Sequence, residues 1–252
     1  MAFFSWIITH VAPLFLVSSP ITSYADQIYS IYKTNSSAGF SLDIPLIMLV
    51  ASILKIFYWF GERYDTSLLL QAVLMVGVQT LLLHVALRGR PSLASSTAKP
   101  FDGMDGPEPL FSRRPYNFWQ WRSTQPYWNF LGYYTLALLV LGIFIGDSKR
   151  YIELQGYVAL SIEAMLPLPQ IASNQRNRSC KGFRLSVLLN WLVGDAMKMT
   201  FFFMADSDIP WAFKLCGLFQ AMCDCYLGIQ YWMFGEGQDV QYSPESREMR
   251  KL

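Results

Sequence analysis

Seven apolar stretches, each near the length a helix needs to cross a bilayer, leave this chain few ways to fold. They run over residues 6 to 31, 44 to 60, 66 to 87, 128 to 146, 152 to 172, 184 to 204 and 211 to 233. A spanning helix takes about 20 mostly apolar residues, so seven of them use most of the 252 residues and leave no room for a separate soluble catalytic domain. In hydrocarbon every backbone N–H and C=O must be bonded internally, and a helix does this segment by segment. The expectation is an all-α integral membrane protein with seven transmembrane helices. Composition agrees: 15% of the residues are charged, where a soluble domain carries about a quarter. The first stretch lacks a basic run ahead of it and continues past Pro13 and Pro20, so it reads as a retained helix and not a removable signal peptide.

Several function classes fall away. A net charge of +2 offers no unopposed basic surface for nucleic acid. Cys180, Cys216, Cys223 and Cys225 are too few for a disulfide framework, and with only His10 and His84 in the chain they make a poor zinc site. They read as small apolar side chains. No glycine loop followed by Lys and Ser or Thr is present to hold nucleotide phosphates. No cofactor or metal is implied.

The longest stretch outside the spans, residues 88–127, is rich in Pro, Gly and Ser and reads as a flexible linker. It ends in Phe118-Trp119-Gln120-Trp121-Arg122, which suits either a headgroup-level segment or a packed aromatic loop. Fourteen Lys and Arg residues lie on the side of Lys33, this linker, the 176–184 loop and the final segment, against Arg63, Lys149 and Arg150 on the other. The positive-inside rule then places the C-terminus in the cytosol and the N-terminus in the lumen.

An offset of 143 positions brings residues 27–60 onto 170–203 without gaps, with twelve identities in 34 positions. Gln27 falls on Gln170, Gly39 on Gly182, and Lys55 on Lys198. These polar matches exceed what shared hydrophobicity gives. The division is residues 1–87 as a first three-helix repeat, 88–127 as cytosolic linker, 128–150 as connector helix, 151–235 as second repeat and 236–252 as cytosolic tail. One helix between two three-helix units keeps both in the same orientation, and parallel repeats of this kind place a path between two similar bundles.

The fifth stretch contains Pro167 and Pro169. Each removes a backbone donor and disfavours helix at the preceding residue. The freed carbonyls must face protein or a water-filled cavity, so a kink beside Glu163 and Gln170 is either a gate or a static bend. Asp26, Lys55, Glu163, Asp195, Lys198, Lys214 and Asp224 all fall within predicted spans, where each charge near the centre costs at least about 2.5–3.5 kcal/mol. Asp195 and Lys198, three apart, share a helical face and can pair. Lys55 and Lys198, at equivalent repeat positions, are expected to approach each other, where two ammonium groups can hold a phosphate. Snorkelling to the lumenal surface is the competing reading. Asn190 and Trp191, one turn before Asp195, add hydrogen-bonding and aromatic contacts or serve structure alone. Lys214 reads as an interface anchor.

Pro169-Gln170, the basic loop ending Lys181-Gly182-Phe183 and the related copy from Gln27 to Phe40 resemble the twin motif of the PQ-loop repeat family. The resemblance implies two parallel three-helix bundles joined by a connector, a fold shared with the sugar-transporting SWEET proteins. Ile53-Leu54-Lys55-Ile56-Phe57-Tyr58-Trp59-Phe60-Gly61, Phe118-Trp119-Gln120-Trp121, Glu163-Ala164-Met165-Leu166 and Gly194-Asp195-Ala196-Met197-Lys198 are similar to the branch containing the fungal suppressor of aminophospholipid flippase loss and its animal counterpart. That branch implies a phospholipid scramblase of Golgi and endosomal membranes, with membrane phospholipids as cargo and a functional link to P4-type flippases. The first motif departs from the family, with Ala25-Asp26-Gln27 in place of Pro-Gln.

The leading expectation is therefore a scramblase whose polar furrow is lined by Glu163, Asp195, Lys198, Lys55, Asp26, Asp224, Asn190 and Trp191, with Pro167, Pro169, Gln170 and Gln27 at the hinges. The alternatives are a proton-coupled secondary transporter of a small solute such as an amino acid or sugar, and a non-transporting regulator of flippases.

Overall fold

The computed structural model describes residues 11–37, 42–90, 118–119, 121, 123–180, 185–205 and 208–235. Most of the linker, the tail from 236 and the basic-loop residues Lys181 and Arg184 lie outside them. Among the described residues all regular structure is helical: α1 (Ala12–Thr34), α2 (Asp43–Glu62), α3 (Thr66–Arg88), α4 (Gln125–Ile145), α5 (Lys149–Ala164), α6 (Pro167–Asn177), α7 (Leu185–Met204) and α8 (Trp211–Phe234). Three of them, α2, α3 and α4, with mean hydropathy 1.9, 2.0 and 1.7, are by length and composition apolar enough to cross a membrane unaided.

The expected fifth span is corrected to two helices. Pro167 cannot donate to the carbonyl of Glu163, nor Pro169 to that of Met165. Leu166 and Leu168 reach these carbonyls instead, three residues back and at 3.1 Å each, which tightens the chain and ends α5 at Ala164. Pro167 then opens α6 at a first-turn position where the missing donor costs nothing. In the first repeat α1 runs unbroken through Ala25-Asp26-Gln27, so no second break exists there. Its internal Pro20 deprives the Leu16 carbonyl of a donor, and the Ser19 hydroxyl supplies one at 2.8 Å.

The repeat is visible in the backbone. Asn35 ends α1 in the left-handed conformation at φ 47°, and Arg178, 143 residues later, ends α6 the same way at φ 49°. Two residues on, the Ser37 N–H donates to the Gly89 carbonyl at 2.8 Å and the Cys180 N–H to the Gly235 carbonyl at 3.0 Å. These matched clasps tie the first element of each repeat to the end of its third. Within each repeat the third helix is central: α3 packs against both α1 and α2, and α8 against α5, α6 and α7. The repeats meet through α2 on α5 and, related by the same symmetry, α7 on α1. At the larger contact Gly61 faces Ile152 and Gly156 faces the Tyr58 ring, small residues that let the two backbones come close. The connector α4 touches α2 through Leu138 against Ile53 and Leu54 and exposes most of its remaining surface.

Aromatic side chains close the bundle at both ends. At the Arg63 end, Tyr58, Tyr64, Phe202 and Phe213 pack together, and Arg63 and Lys214 lie over Trp59 and Trp211. Lys214, for which an interfacial anchor is expected, makes this contact by a cation–π interaction. At the other end the segment at 118–121 packs inward. Trp119 is fully buried and donates from Nε1 to the Leu42 carbonyl at 2.7 Å. Arg90 clamps it by donating to the Trp121 carbonyl and the Tyr127 hydroxyl at 2.7 and 2.6 Å. Of the two readings of this segment, the packed loop is the one adopted; Gln120 and Arg122 lie outside the described residues.

Candidate functional site

Between the two end caps the repeats are joined by charge. Lys55 on α2 places Nζ 2.6 Å from Oε2 of Glu163, next to the break between α5 and α6. The side chains are 4% and 13% exposed, so the ion pair is withdrawn from both surfaces. The Lys55 ammonium thus turns to Glu163 and does not snorkel to a surface, and the Tyr64 hydroxyl donates to the Lys55 carbonyl at 2.9 Å.

The equivalent lysine of the second repeat is treated differently. The register that carries Lys55 to Lys198 carries Glu163 back to Pro20, so α1 offers Lys198 no acid at the matching position. Its ammonium turns instead to Asp195, at 3.5 Å and one turn back on α7 as the spacing predicts, and donates to Oε1 of Gln220 on α8 at 3.2 Å. It lines the same small cavity as Lys55 and Glu163. Asp224, buried on α8, stands beside Asp195.

A small cavity is lined by Lys55, Gln71, Glu163, Lys198, Cys216 and Gln220, with Asp195 and Asp224 behind Lys198 and not part of its lining. It has room for about one or two water molecules, far less than a lipid headgroup, so this is a closed arrangement. The two glutamines were not among the expected site residues. Gln71 links α3 to α1 through the Ser19 hydroxyl at 3.1 Å. A neutral amide inside an apolar span was the available signal, since it too must find a partner in hydrocarbon.

Other expected residues lie elsewhere. Asp26 sits on an exposed face of α1 and Gln27 beside it is half-buried. Asn190 and Trp191 occupy exposed positions of α7. Gln170 turns along α6 to donate to Asn174 at 2.8 Å, and Gln230 on α8 donates to the Ile171 carbonyl at 3.1 Å, so the motif glutamine fastens its own helix and does not line the cavity. All four cysteines are free. Burial pushes the thiol of Cys180, at the second clasp, up from its ordinary range.

Two stretches of the chain, residues 21–68 and 151–211, match the family model described as PQ loop repeat. Both stretches resemble the PQ loop repeat. Each PQ loop match contains one of the left-handed turns, Asn35 or Arg178, and one of the paired lysines, Lys55 or Lys198. Glu163 and Asp195 fall within the second match, while Gln71, Gln220 and Asp224 lie on the central helices outside both. The chain is also similar to Scramblase ANY1 of Saccharomyces cerevisiae, at 29% identity over 273 aligned residues that cover 84% of this chain and 67% of the yeast protein.

Proposed function

We propose that this chain is a phospholipid scramblase, letting lipids equilibrate between leaflets without ATP. The observation that carries the reading is the buried Lys55–Glu163 pair at the contact between the repeats. A static membrane bundle gains little from such a pair, because apolar residues of similar volume stabilise as well or better. A path for a charged headgroup needs it. When α2 and α5 separate, Lys55 and Lys198 exchange carboxylate partners for the lipid phosphate, and the pair re-forms behind it. The tails stay in hydrocarbon throughout. The break at Met165–Leu166 gives α6 a joint about which to move, with Pro167 and Pro169 preventing repair of the helix and Gln170 holding α6 together as a unit. Asn190 and Trp191 extend the path along α7, whereas Asp26 and Gln27 on unbroken α1 belong to the fixed side.

The similarity to a yeast scramblase supports lipid as cargo. The basic excess at the Arg90 end assigns that end and the C-terminal tail to the cytosol and the N-terminus to the lumen. Golgi and endosomal membranes, where flippases build the asymmetry a scramblase dissipates, are the assigned location. The residues 1–87 and 151–235 act as the two moving repeats and 128–150 as their connector. The protein performs no covalent chemistry in this scheme. The test is reconstitution into liposomes containing a fluorescent phospholipid, followed by an external reductant. Loss of well over half the fluorescence is expected; loss that stops near half at several proteins per vesicle overturns the reading.

A further inference from the structure

The buried cluster is one positive charge short. Lys55 and Lys198 bring two ammonium groups, while Glu163, Asp195 and Asp224 bring three carboxylates. Lys55 is committed to Glu163 and Lys198 to Asp195 and Gln220, which leaves Asp224 without an ion-pair partner of its own, Lys198 acting on it only from beyond pairing distance. Asp224 is 2% exposed, and its Oδ1 is buried with no hydrogen-bond partner; Oδ2 of the adjacent Asp195 is in the same position. A carboxylate only accepts hydrogen bonds. Two ionised carboxylates side by side therefore repel and cannot bond, whereas one proton between them makes one a donor to the other and removes the excess charge.

We propose that Asp195 and Asp224 form a proton-binding site, holding one proton taken from water and shared between the facing carboxyl groups. The proton belongs to the pair and not to either residue. The charged and titratable groups around it are Lys198 on α7, Glu163 on α5 reached through Lys198, and Cys223 beside Asp224 on α8. The one ionisable residue of α6, Arg176, is exposed near the far end of that helix. The site has a consequence that rests on the scramblase reading. A lipid phosphate adds a further negative charge to the cluster, so it enters more readily when the pair is protonated, and lipid passage speeds up as pH falls.

Infrared difference spectroscopy on the purified full chain in detergent tests the site apart from any transport. The wild type is expected to show a protonated carboxyl C=O band that shifts in D2O, disappears as pH is raised and is unchanged in sodium-free buffer. Asp224→Asn removes that band, because an amide supplies the donor permanently; Asp195→Asn does the same and serves if the first variant does not fold. A wild type without such a band, or a band retained in both variants, overturns the proposal. In liposomes the wild-type rate rises with falling pH by up to about tenfold per unit, the limit for one proton, and Asp224→Asn removes that dependence. A pH-sensitive band together with no lipid movement at any pH overturns the scramblase reading and leaves the proton site standing.

Discussion

Replacing Glu163 by Ala isolates the cost of the charge that joins the repeats. The change leaves the Lys55 ammonium, 3% exposed as a residue, facing a pocket without its carboxylate partner at 2.6 Å. Breaking a buried pair from one side costs about 3–5 kcal/mol, mostly through the stranded charge. Screening does not reduce this much, because both side chains are far below a third exposed. At about 2–4 °C per kcal/mol for a chain of this size, the melting midpoint in detergent should fall by about 6–20 °C. Pairing Lys55→Met with Glu163→Leu removes both charges and fills the space, which is neutral or stabilising by about 1–4 kcal/mol. That double variant should therefore melt at or above the wild type yet fail to move lipid. Thermal melting followed by the liposome assay reads both quantities on the same preparations. If Glu163→Ala melted like the wild type, or the double variant melted as low as the single one, the ion pair would not be the buried link described here.

Three further perturbations address the frame around the site. Trp119→Ala removes a fully buried ring and its bond to the Leu42 carbonyl; a loss of about 3–5 kcal/mol is expected, read by denaturation in detergent. Gly156→Ala places a Cβ 2.6 Å from the Tyr58 ring, so the α2–α5 contact is pushed apart at a cost of about 1–3 kcal/mol; a melting midpoint equal to the wild type contradicts that packing. Cys180 is buried and its thiol is pushed up in pKa, so it should react with a maleimide much more slowly than a free thiol at neutral pH. Its labelling should accelerate with rising pH and under conditions that open the Cys180–Gly235 clasp.

The helical segments and their repeat were legible because both are written in one dimension. Runs of apolar residues mark spans, and an exact offset of 143 carries Asn35 onto Arg178 and Ser37 onto Cys180, the residues that form the matched turns. The Asp195–Lys198 pair was legible because i,i+3 spacing fixes proximity within one helix. The partner of Lys55 was not, since Glu163 is 108 positions away and only the packing of α2 on α5 brings it close. The rotation of α1 about its axis was equally invisible: Asp26 lies in a span but turns outward, because Leu16 and Ile31, and not the acid, occupy the buried stripe. The prolines announced a disturbance in the fifth span. That the disturbance became a full break, with Pro20 in α1 causing none, depended on the Ser19 hydroxyl, which repairs the carbonyl left open in α1. Gln71 and Gln220 were passed over because neutral amides do not stand out in a search for charge.

The central claim is that lipid headgroups cross between the repeats where Lys55 meets Glu163. Fluorescent-lipid bleaching in liposomes, run side by side on the wild type and on the Lys55→Met, Glu163→Leu double variant at equal protein density, tests it most directly. The account predicts bleaching well past half for the wild type and arrest near half for a double variant that remains folded. Equal and complete bleaching by both would contradict it.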